Sequence, residues 1–356
     1  MIFYEDDVFR QLTALIQTIF PETSKPKQQF PLLKLPRVVL LECIENLDVL
    51  EIIKFSLLSK RAKSIAKLLR WYPLHIRLVS GQINQICLRI SGDWEREWII
   101  EYPNDKESWK YPEDRYLFLK NNGNAIEDMK KTAEHICEVF RSPICDMETA
   151  EQSLIDWIIK FQPTIRNVWI GKDVSVQTLN HILKNLKVTN YLELQPISIH
   201  EKFEIMEPIP SRFLLVFNSY WVTLPSILNG TNSMICLSDS KLTPMDINTI
   251  LKEWQLGSKL RNLEYLEIRT STLLDLHSFS DEVYKNLNLT NGDEIDGRPT
   301  EVKIDDEYTY SLPEVQNVRN LIRNDGMIGS IFEIFEFLDG ENMKTCFSFV
   351  VWHKEA

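Results

Sequence analysis

The six histidines are candidates for catalysis or metal binding in this chain. They are His75, His135, His181, His200, His277 and His353. No two of them lie at the spacing of metal ligands, so a zinc site has little support. His181 belongs to a repeated helical segment whose second copy has Thr249 at the same place. Because this position accepts either residue, His181 is predicted to lie on the surface.

Acidic residues provide two further candidates. The consecutive acids Asp305–Glu307 could bind a divalent cation, but they lack the alternating ligands and the central glycine of a calcium loop, which favours a solvated acidic face. Glu333 and Glu336 could act as paired carboxylates. Strand alternation in FEIFEF places Glu333 opposite Phe332, on the outward face of a half-buried strand. The 11 glycines are scattered and form no phosphate loop. We therefore expect no catalytic residue, metal or cofactor, and a chain that is not an enzyme.

The nine tryptophans are candidates for recognition. Three of them lie on apolar faces and are predicted to be core residues: Trp157, Trp254 and Trp352. Three others lie among charged residues: Trp94, Trp98 and Trp109. Aromatic residues concentrate at binding hot spots, so the second set either forms an exposed recognition patch or packs under loops.

Charge is distributed unevenly along the 356 residues. The net charge is −11, which argues against broad binding to nucleic acid or to an anionic membrane. Residues 30–72 carry eight basic and four acidic side chains, a net charge of +4, so the remainder carries −15. A basic module on an acidic body predicts an acidic partner for the module, although a solvated helix face explains any single charge.

Cysteine usage and the N-terminus bear on the compartment. The six cysteines show no CxxC spacing and are predicted to be buried free thiols, typical of a cytoplasmic or nuclear protein. MIFYEDDVF is acidic where a signal peptide would be basic, and no apolar run reaches membrane-spanning length.

The elements that position these side chains begin with a helical N-terminus. Residues 1–29 are predicted to hold an amphipathic helix over 5–20 and a polar linker after Pro21. In the helical module, defined as residues 30–72, Pro36 suits the first position of a helix. Asp48 and Glu51 form a possible capping box for a second helix over 49–54. A third helix is predicted over about 56–69.

The helical module resembles an F-box. Leu35-Pro36, a helix with Ile44 and Leu47, an acidic and apolar turn, and FSLLSKR at 55–61 follow one another in the order and spacing of that family. The resemblance implies a three-helix unit that binds a Skp-type adaptor of cullin-RING ubiquitin ligases, an adaptor that is acidic. It also implies a set of residues that face the adaptor or form the core of the module: Leu35, Pro36, Val39, Leu40, Ile44, Leu47, Leu57 and Lys60.

The rest of the chain alternates between short apolar runs and helical stretches. Strands are predicted over 86–90 and 97–102, and helices over 129–140 and 150–161. These fall in residues 73–165, a poorly assigned start of the α/β body. An acidic segment over about 275–312 is predicted to be a loop insertion with a short hairpin. The runs at 332–338 and 345–352 are predicted to form a hairpin around Asp339-Gly340.

An internal repeat is the most informative feature of the body. LNHILK at 179–184 aligns with INTILK at 247–252 at an offset of 68. Ser175 and Thr243 are the predicted N-caps of the two helices, and each helix leads to a similar strand, NYLEL or EYLEI. Strands joined through helices are normally parallel. The unit resembles leucine-rich repeats, and we predict a degenerate α/β repeat domain with parallel strands over 166–356.

The same region resembles the nematode-expanded F-box-associated type 2 domain. The likeness covers 211–268 and rests on Asn218-Ser219, Trp221, Leu242-Thr243, Ile247-Asn248, Leu251-Lys252, Trp254 and Leu263-Glu-Tyr-Leu266. The tail, at 323–326 and 347–352, extends it. The resemblance implies a domain that presents substrates to the ligase.

Together these features predict a substrate receptor of an SCF-type ubiquitin ligase. The helical module would dock on a Skp-type adaptor and the body would bind an unidentified target protein, with no nucleic acid and no membrane. Two alternatives are a protein-interaction scaffold without ligase coupling and an enzyme with an unrecognised site.

Overall fold

The structure is a computed structural model. It describes residues 35–90, 92–93, 96–103, 115–119, 123–172, 174–197, 203–270, 276–292, 297–303, 309–311, 318–337 and 343–353. The chain divides after Ile144 into two compact units, called here the N-terminal and the C-terminal unit. The helix predicted over 5–20 lies outside the described residues.

Three short helices open the N-terminal unit, as predicted. They are α1 (Arg37–Glu45), α2 (Val49–Leu57) and α3 (Lys60–Ala66). Pro36 is the N-cap of α1 and not its first helical residue. The second helix is longer than predicted because the break comes at Ser59, whose hydroxyl accepts a hydrogen bond from the Ala62 N–H and so starts α3.

The predicted capping box at the start of α2 is confirmed. The Asp48 carboxylate accepts from the Glu51 N–H at 2.7 Å, and the Glu51 carboxylate accepts from the Asp48 N–H at 2.9 Å. Two backbone donors without an intrahelical partner are thereby satisfied. Leu50, Ile52 and Ile53 of this helix are fully buried.

A small sheet and a long helix complete the N-terminal unit. The strands β1 (Leu74–Val79), β2 (Asn84–Ile90) and β3 (Glu97–Tyr102) form an antiparallel meander, and β4 (Tyr116–Phe118) pairs parallel to β3. Helix α4 (Ala125–Phe140) contacts both α2 and β2. Its apolar face is buried through Met129, Ala133 and Ile136.

Six parallel strands in chain order form the centre of the C-terminal unit. They are β5 (Ile144–Thr149), β6 (Thr164–Ile170), β7 (Lys187–Leu194), β8 (Phe213–Val216), β9 (Met234–Ser240) and β10 (Tyr265–Thr270). The helices between them are α5 (Gln152–Phe161), α6 (Val176–Asn185), α7 (Leu224–Leu228) and α8 (Pro244–Gln255). Right-handed crossovers between successive neighbouring strands place their helices on the same side of the sheet. In agreement, α5 contacts α6, and α7 contacts α8.

The two copies of the repeat have the predicted caps. The Ser175 hydroxyl accepts from the Thr178 N–H, and the Thr243 hydroxyl accepts from the Asp246 N–H. The copies are not adjacent, however, because β8 and α7 lie between them. One repeat of 68 residues therefore spans three strands and two helices. The parallel strands are confirmed, and the likeness to leucine-rich repeats stays a prediction.

Antiparallel strands extend this sheet beyond β10. The strands β16 (Met343–Trp352), β15 (Ile328–Phe337), β14 (Arg319–Ile322) and β11 (Leu289–Asn291) follow in that spatial order. The predicted pairing of the last two long strands is confirmed, and their turn lies outside the described residues. Within the acidic segment, β12 (Glu301–Lys303) and β13 (Thr309–Ser311) form a separate pair. Helix α9 (Leu276–Val283) stands where a loop had been expected.

The two faces of the C-terminal sheet are packed differently. One face is covered by helices: the Trp254 ring of α8 meets the Phe349 ring edge-on at 4.9 Å. Residues paired across the strands share this face, from Phe349 of β16 to Met147 of β5. On the opposite face, a cluster around Phe213 and Tyr265 is packed against Val302 and Val318.

Candidate functional site

The outward surface of α1 is the first part of the candidate site. Leu40 and Ile44 face inward and are 3% and 0% exposed. A helix turns about 100° per residue, so Val38 points away from Leu40 and Val39 lies to one side. These two valines are accordingly 71% and 46% exposed. An exposed pair of branched apolar side chains on one helix is a surface suited to contact with another protein.

The predicted adaptor-binding residues fall into three groups. The exposed ones are Pro36, Val39 and Lys60, the half-buried ones are Leu35, Leu47 and Leu57, and the buried ones are Leu40 and Ile44. Leu40 and Ile44 belong to the core of the module. The other six side chains are at least partly exposed to solvent in the described part of the chain. Contact of any of them with an adaptor stays a prediction.

Sequence reasoning missed three exposed apolar residues of the helical module. They are Val38, Leu68 and Tyr72, and the last two are 47% and 75% exposed. The phase of Leu40 and Ile44 already indicated that Val38 points outward. Cys43 corrects another expectation, since it is exposed and not a buried thiol, whereas Cys87, Cys236 and Cys346 are buried and Cys137 and Cys145 half-buried.

The basic side chains of α3 point in two directions. Lys60 and Arg61, in its first turn, are exposed. Lys63 and Lys67 turn toward α4, where their Nζ atoms lie 2.5 Å and 2.9 Å from the Glu138 carboxylate. Hydrogen bonds from both lysines lower the pKa of Glu138 from 4.5 to about 2. On α3 the outward cations are therefore Lys60 and Arg61, which follow the break between α2 and α3.

A buried hydrogen bond links α2 to α4. The Ser56 hydroxyl donates to the Ile53 carbonyl at 2.8 Å and lies 2.7 Å from His135 Nε2. Because the single hydroxyl proton is used toward Ile53, the imidazole Nε2–H is the donor to Ser56. Burial, with a smaller contribution from charge repulsion by Lys63, lowers the pKa of His135 from 6.5 to about 4.

A second set of contacts fixes the end of the helical module. The Trp71 ring packs edge-on against the Phe140 ring at 5.6 Å. The Arg141 guanidinium donates to the Lys67 carbonyl at 3.2 Å, and the Leu74 N–H donates to the Ser142 hydroxyl at 2.9 Å. The module is thus attached to α4 and β1 along its inner side, and α1 carries the exposed pair Val38 and Val39.

Two of the other candidates for chemistry make contacts within the C-terminal unit. Glu333 is directed toward α9, where it accepts a hydrogen bond from Ser280 at 2.8 Å, so the expectation of an outward face is wrong. His181 lies 3.4 Å from Asp156 and contacts Asn185. Over the described ranges, no three His, Cys, Asp or Glu side chains are grouped as a metal site would require.

The described tryptophans differ in burial. Trp98 is buried, which favours packing over recognition, and Trp254 and Trp352 are buried as expected. Trp157 is only half-buried and stacks on Phe161 at 5.0 Å. Trp94, Trp109, the acidic run Asp305–Glu307, His200, and the side chains of His277 and Glu336 lie outside the described residues.

Each helix that the structure describes is too short or too polar to cross a bilayer.

Comparison with known proteins identifies two domains in this chain. A family model described as F-box domain matches residues 32–73, and a second, described as F-box associated, matches residues 200–268. The Skn-1 dependent zygotic transcript 15 protein of Caenorhabditis elegans is similar, with 22% identity over 285 residues that cover 67% of this chain and 80% of that protein. No solved structure matches the chain.

Proposed function

We propose that this chain, which carries an F-box domain followed by an F-box associated domain, is a substrate receptor of an SCF-type cullin-RING ubiquitin ligase. F-box domains generally bind Skp-type adaptors within such ligases. In this proposal the helical module docks on the adaptor and the C-terminal unit holds the target protein. The receptor itself is not an enzyme, because the ubiquitin-transfer chemistry belongs to its partners.

The observation that carries the proposal is an exposed apolar pair inside the F-box match. Val38 and Val39 lie on α1, within residues 32–73, and together expose slightly more than one full valine side chain. Full burial of such a side chain stabilises a complex by about 2 kcal/mol. A stabilisation of that size corresponds to roughly 30-fold in the dissociation constant.

The exposed cations support the same docking. Lys60 and Arg61 add positive charge to the surface of a module whose net charge is +4. An acidic adaptor would be drawn to that surface, which raises the association rate more than the final affinity. Once docked, the receptor holds its target close to the enzyme that carries ubiquitin. The rate of ubiquitin transfer then rises because the two reactants are held close together.

The test is co-purification of the full chain with a purified Skp-type adaptor. Wild type is compared with the double variant Val38→Asp/Val39→Asp, which places two charges on the proposed contact without changing the module core. We expect a stable wild-type complex and at least a 30-fold weaker one for the variant. Ile44→Asp would be uninformative, because Ile44 is fully buried and its change would unfold the module.

A matched control separates docking from a general effect of added acid. Met245→Asp places an aspartate at an apolar position that is 69% exposed on α8, outside the F-box match. This control should bind the adaptor as wild type does. A well-folded wild-type chain without adaptor affinity, or an equal loss in the control, would contradict the proposal.

A further inference from the structure

Positive charge is concentrated at the amino ends of the parallel strands in the C-terminal unit. Five stretches of chain lead into β6 to β10: residues 160–163, 184–187, 209–212, 229–233 and 257–264. Together they hold six cations and one acid, a net charge of +5, although the chain outside the helical module carries −15. The part of the chain outside both the module and these stretches therefore carries −20.

Most of these cations face solvent. Five of the six are exposed, and we call them the basic edge: Lys160, Lys184, Lys187, Lys259 and Arg261. The sixth, Arg212, lies 3.1 Å from Glu264, which is the one acid of the five stretches and is neutralised by it. Other cations that form ion pairs in this unit include Arg269 and Arg323.

Strand pairing places the basic edge along one side of the sheet. Lys187 pairs with Thr164, and its N–H donates to the Pro163 carbonyl at 2.9 Å, so it lies next to the end of α5. Lys259 and Arg261 precede β10, which is three strands further along the sheet. With strands about 4.8 Å apart, the four spacings from β6 to β10 cover about 19 Å. An extended peptide covers that distance with about six residues.

Neutral groups orient two of the cations without cancelling their charge. Lys259 Nζ donates to Asn229 Oδ1 at 2.9 Å, and Arg261 Nε donates to the Gly257 carbonyl at 2.6 Å. Both acceptors belong to the same five stretches. The positions of these two charges are thus fixed by the fold, which reduces the entropy lost when a ligand binds them.

Helix stabilisation explains only part of the basic edge. Lys160 and Lys184 lie in the last turns of α5 and α6, where a cation interacts favourably with the helix dipole. Lys187, Lys259 and Arg261 lie outside the helices. These three therefore need another explanation, and an anionic partner provides one.

Exposed apolar side chains flank the basic edge. Phe161 follows Lys160 and is 41% exposed, and its ring stacks on Trp157 at 5.0 Å. Leu256, the C-cap of α8, is 68% exposed and comes just before the stretch that holds Lys259. Exposed apolar groups beside cations suit a partner that combines carboxylates with apolar side chains.

We propose that the basic edge, with Phe161 and Leu256, binds an acidic segment of the target protein that also carries an apolar side chain. This inference rests on the proposed function, since it names the chemistry of the target. Carboxylates of the segment would form charge-assisted hydrogen bonds with the exposed cations. A short segment responds mainly to these nearby charges, because charges more than about 10 Å away are screened in 0.1 M salt. A nucleic acid would extend over the acidic remainder, which repels it.

Charge reversal at the two sides of the basic edge gives the sharpest test. Lys187→Glu/Lys259→Glu changes two exposed positions that lie outside helices. Lys172→Glu/Lys285→Glu makes the same change in net charge at exposed lysines away from this edge, since Lys172 follows the opposite end of β6. Surface substitutions of this kind change stability by about 0.5 kcal/mol or less, so both variants should keep the wild-type thermal midpoint.

The probe is a phage-displayed library of random nonapeptides. It is depleted on the reversal variant and then selected on wild type, each as the full chain. A selected peptide is synthesised with a fluorophore, and its affinity is measured by anisotropy. We expect enrichment of Asp or Glu, about tenfold weaker binding or worse for the reversal variant, and binding within about twofold of wild type for the control. Should reversal lower the thermal midpoint, Lys187→Gln/Lys259→Gln replaces it and should weaken binding about threefold.

A second pair of variants tests the apolar part of the surface. Leu256→Gln should weaken peptide binding about threefold, because the apolar side chain of the peptide loses its contact. Met245→Gln changes an equally exposed apolar residue, 69% exposed, at the other end of α8 and should bind as wild type does. Equal affinities of these two variants would remove Leu256 from the site and contradict this part of the inference.

Three outcomes would overturn the inference as a whole. Acidic residues are not enriched in the selected peptides, or the reversal variant and its control bind the peptide equally well. The third is that a fluorescent single-stranded oligonucleotide binds wild type more tightly than the peptide and is lost on reversal. Adaptor co-purification is recorded separately. A wild-type chain that binds the peptide but no adaptor contradicts the proposed function, whereas a normal adaptor complex without acidic-peptide binding contradicts only this inference.

Discussion

At the scale of single residues, His135 is the side chain whose environment has the clearest consequence. Its Nε2–H donates to Ser56 of α2, and burial next to Lys63 favours the neutral imidazole. Ser56 and His135 are 79 positions apart. Local periodicity predicted the helices that carry them, but it holds no information about which positions of two distant helices meet.

The lowered pKa of His135 predicts acid sensitivity of the N-terminal unit. An unfolded histidine takes up a proton near pH 6.5, whereas the folded one does so near pH 4. The unfolded state therefore binds more protons between these values, and stability falls as the pH is lowered from about 6.5 to 4. At pH 5 the loss attributable to this group is about 2 kcal/mol, measurable by urea unfolding at pH 7 and pH 5.

The control for this effect is His135→Gln, whose side-chain amide can still donate to Ser56 but does not titrate. The variant should lose less stability than wild type between pH 7 and pH 5, and the difference should be about 2 kcal/mol. An equal loss in both proteins would show that His135 is not the group responsible.

At the scale of elements, the sequence was most informative where periodicity and caps agree. Leu40 and Ile44 indicated α1, Asp48 and Glu51 indicated the start of α2, and all were found. The alignment of NYLEL with EYLEI indicated two similar strands, and the helices before them indicated that these strands are parallel. Both strands were found in parallel pairs.

Elements were misplaced where local preference is weak. Helix α9, LHSFSDEV, lies in an acidic, polar segment in which a loop was expected. A tertiary contact holds this helix, because the Asn248 amide of α8 donates a hydrogen bond to the Val283 carbonyl at 2.7 Å. The separation of the two repeat copies by β8 and α7 was missed for a related reason. A strand of four residues and a helix of five are too short for a periodic signal.

The N-caps of the repeated helices allow a prediction at this scale. Thr243→Ala removes the hydroxyl that accepts from the Asp246 N–H and should destabilise the C-terminal unit by about 1 kcal/mol. For a unit of this size, the thermal midpoint should fall by about 2–4 °C. Thr243→Ser keeps the hydroxyl and should lie close to wild type. A midpoint lowered equally by serine and alanine would show that packing of the threonine methyl group, and not the cap, is responsible.

At the scale of the whole molecule, charge is divided between two parts of the chain. The helical module carries +4 and the remainder −15, so an acidic adaptor would be drawn to the module and not to the rest of the chain as a whole. This association should slow with added salt, since exposed charges are screened. The apolar contact of Val38 and Val39 should remain, because burial of apolar surface depends little on moderate ionic strength.

Titration calorimetry of the full chain with a purified Skp-type adaptor tests the central claim most directly. We expect one adaptor per chain and a negative heat-capacity change, which is the mark of apolar surface buried on binding. We also expect Val38→Asp/Val39→Asp to weaken the complex at least 30-fold. A folded wild-type chain that gives no binding signal at several temperatures would show that the three helices are only part of the fold, and would contradict the proposed role in a ubiquitin ligase.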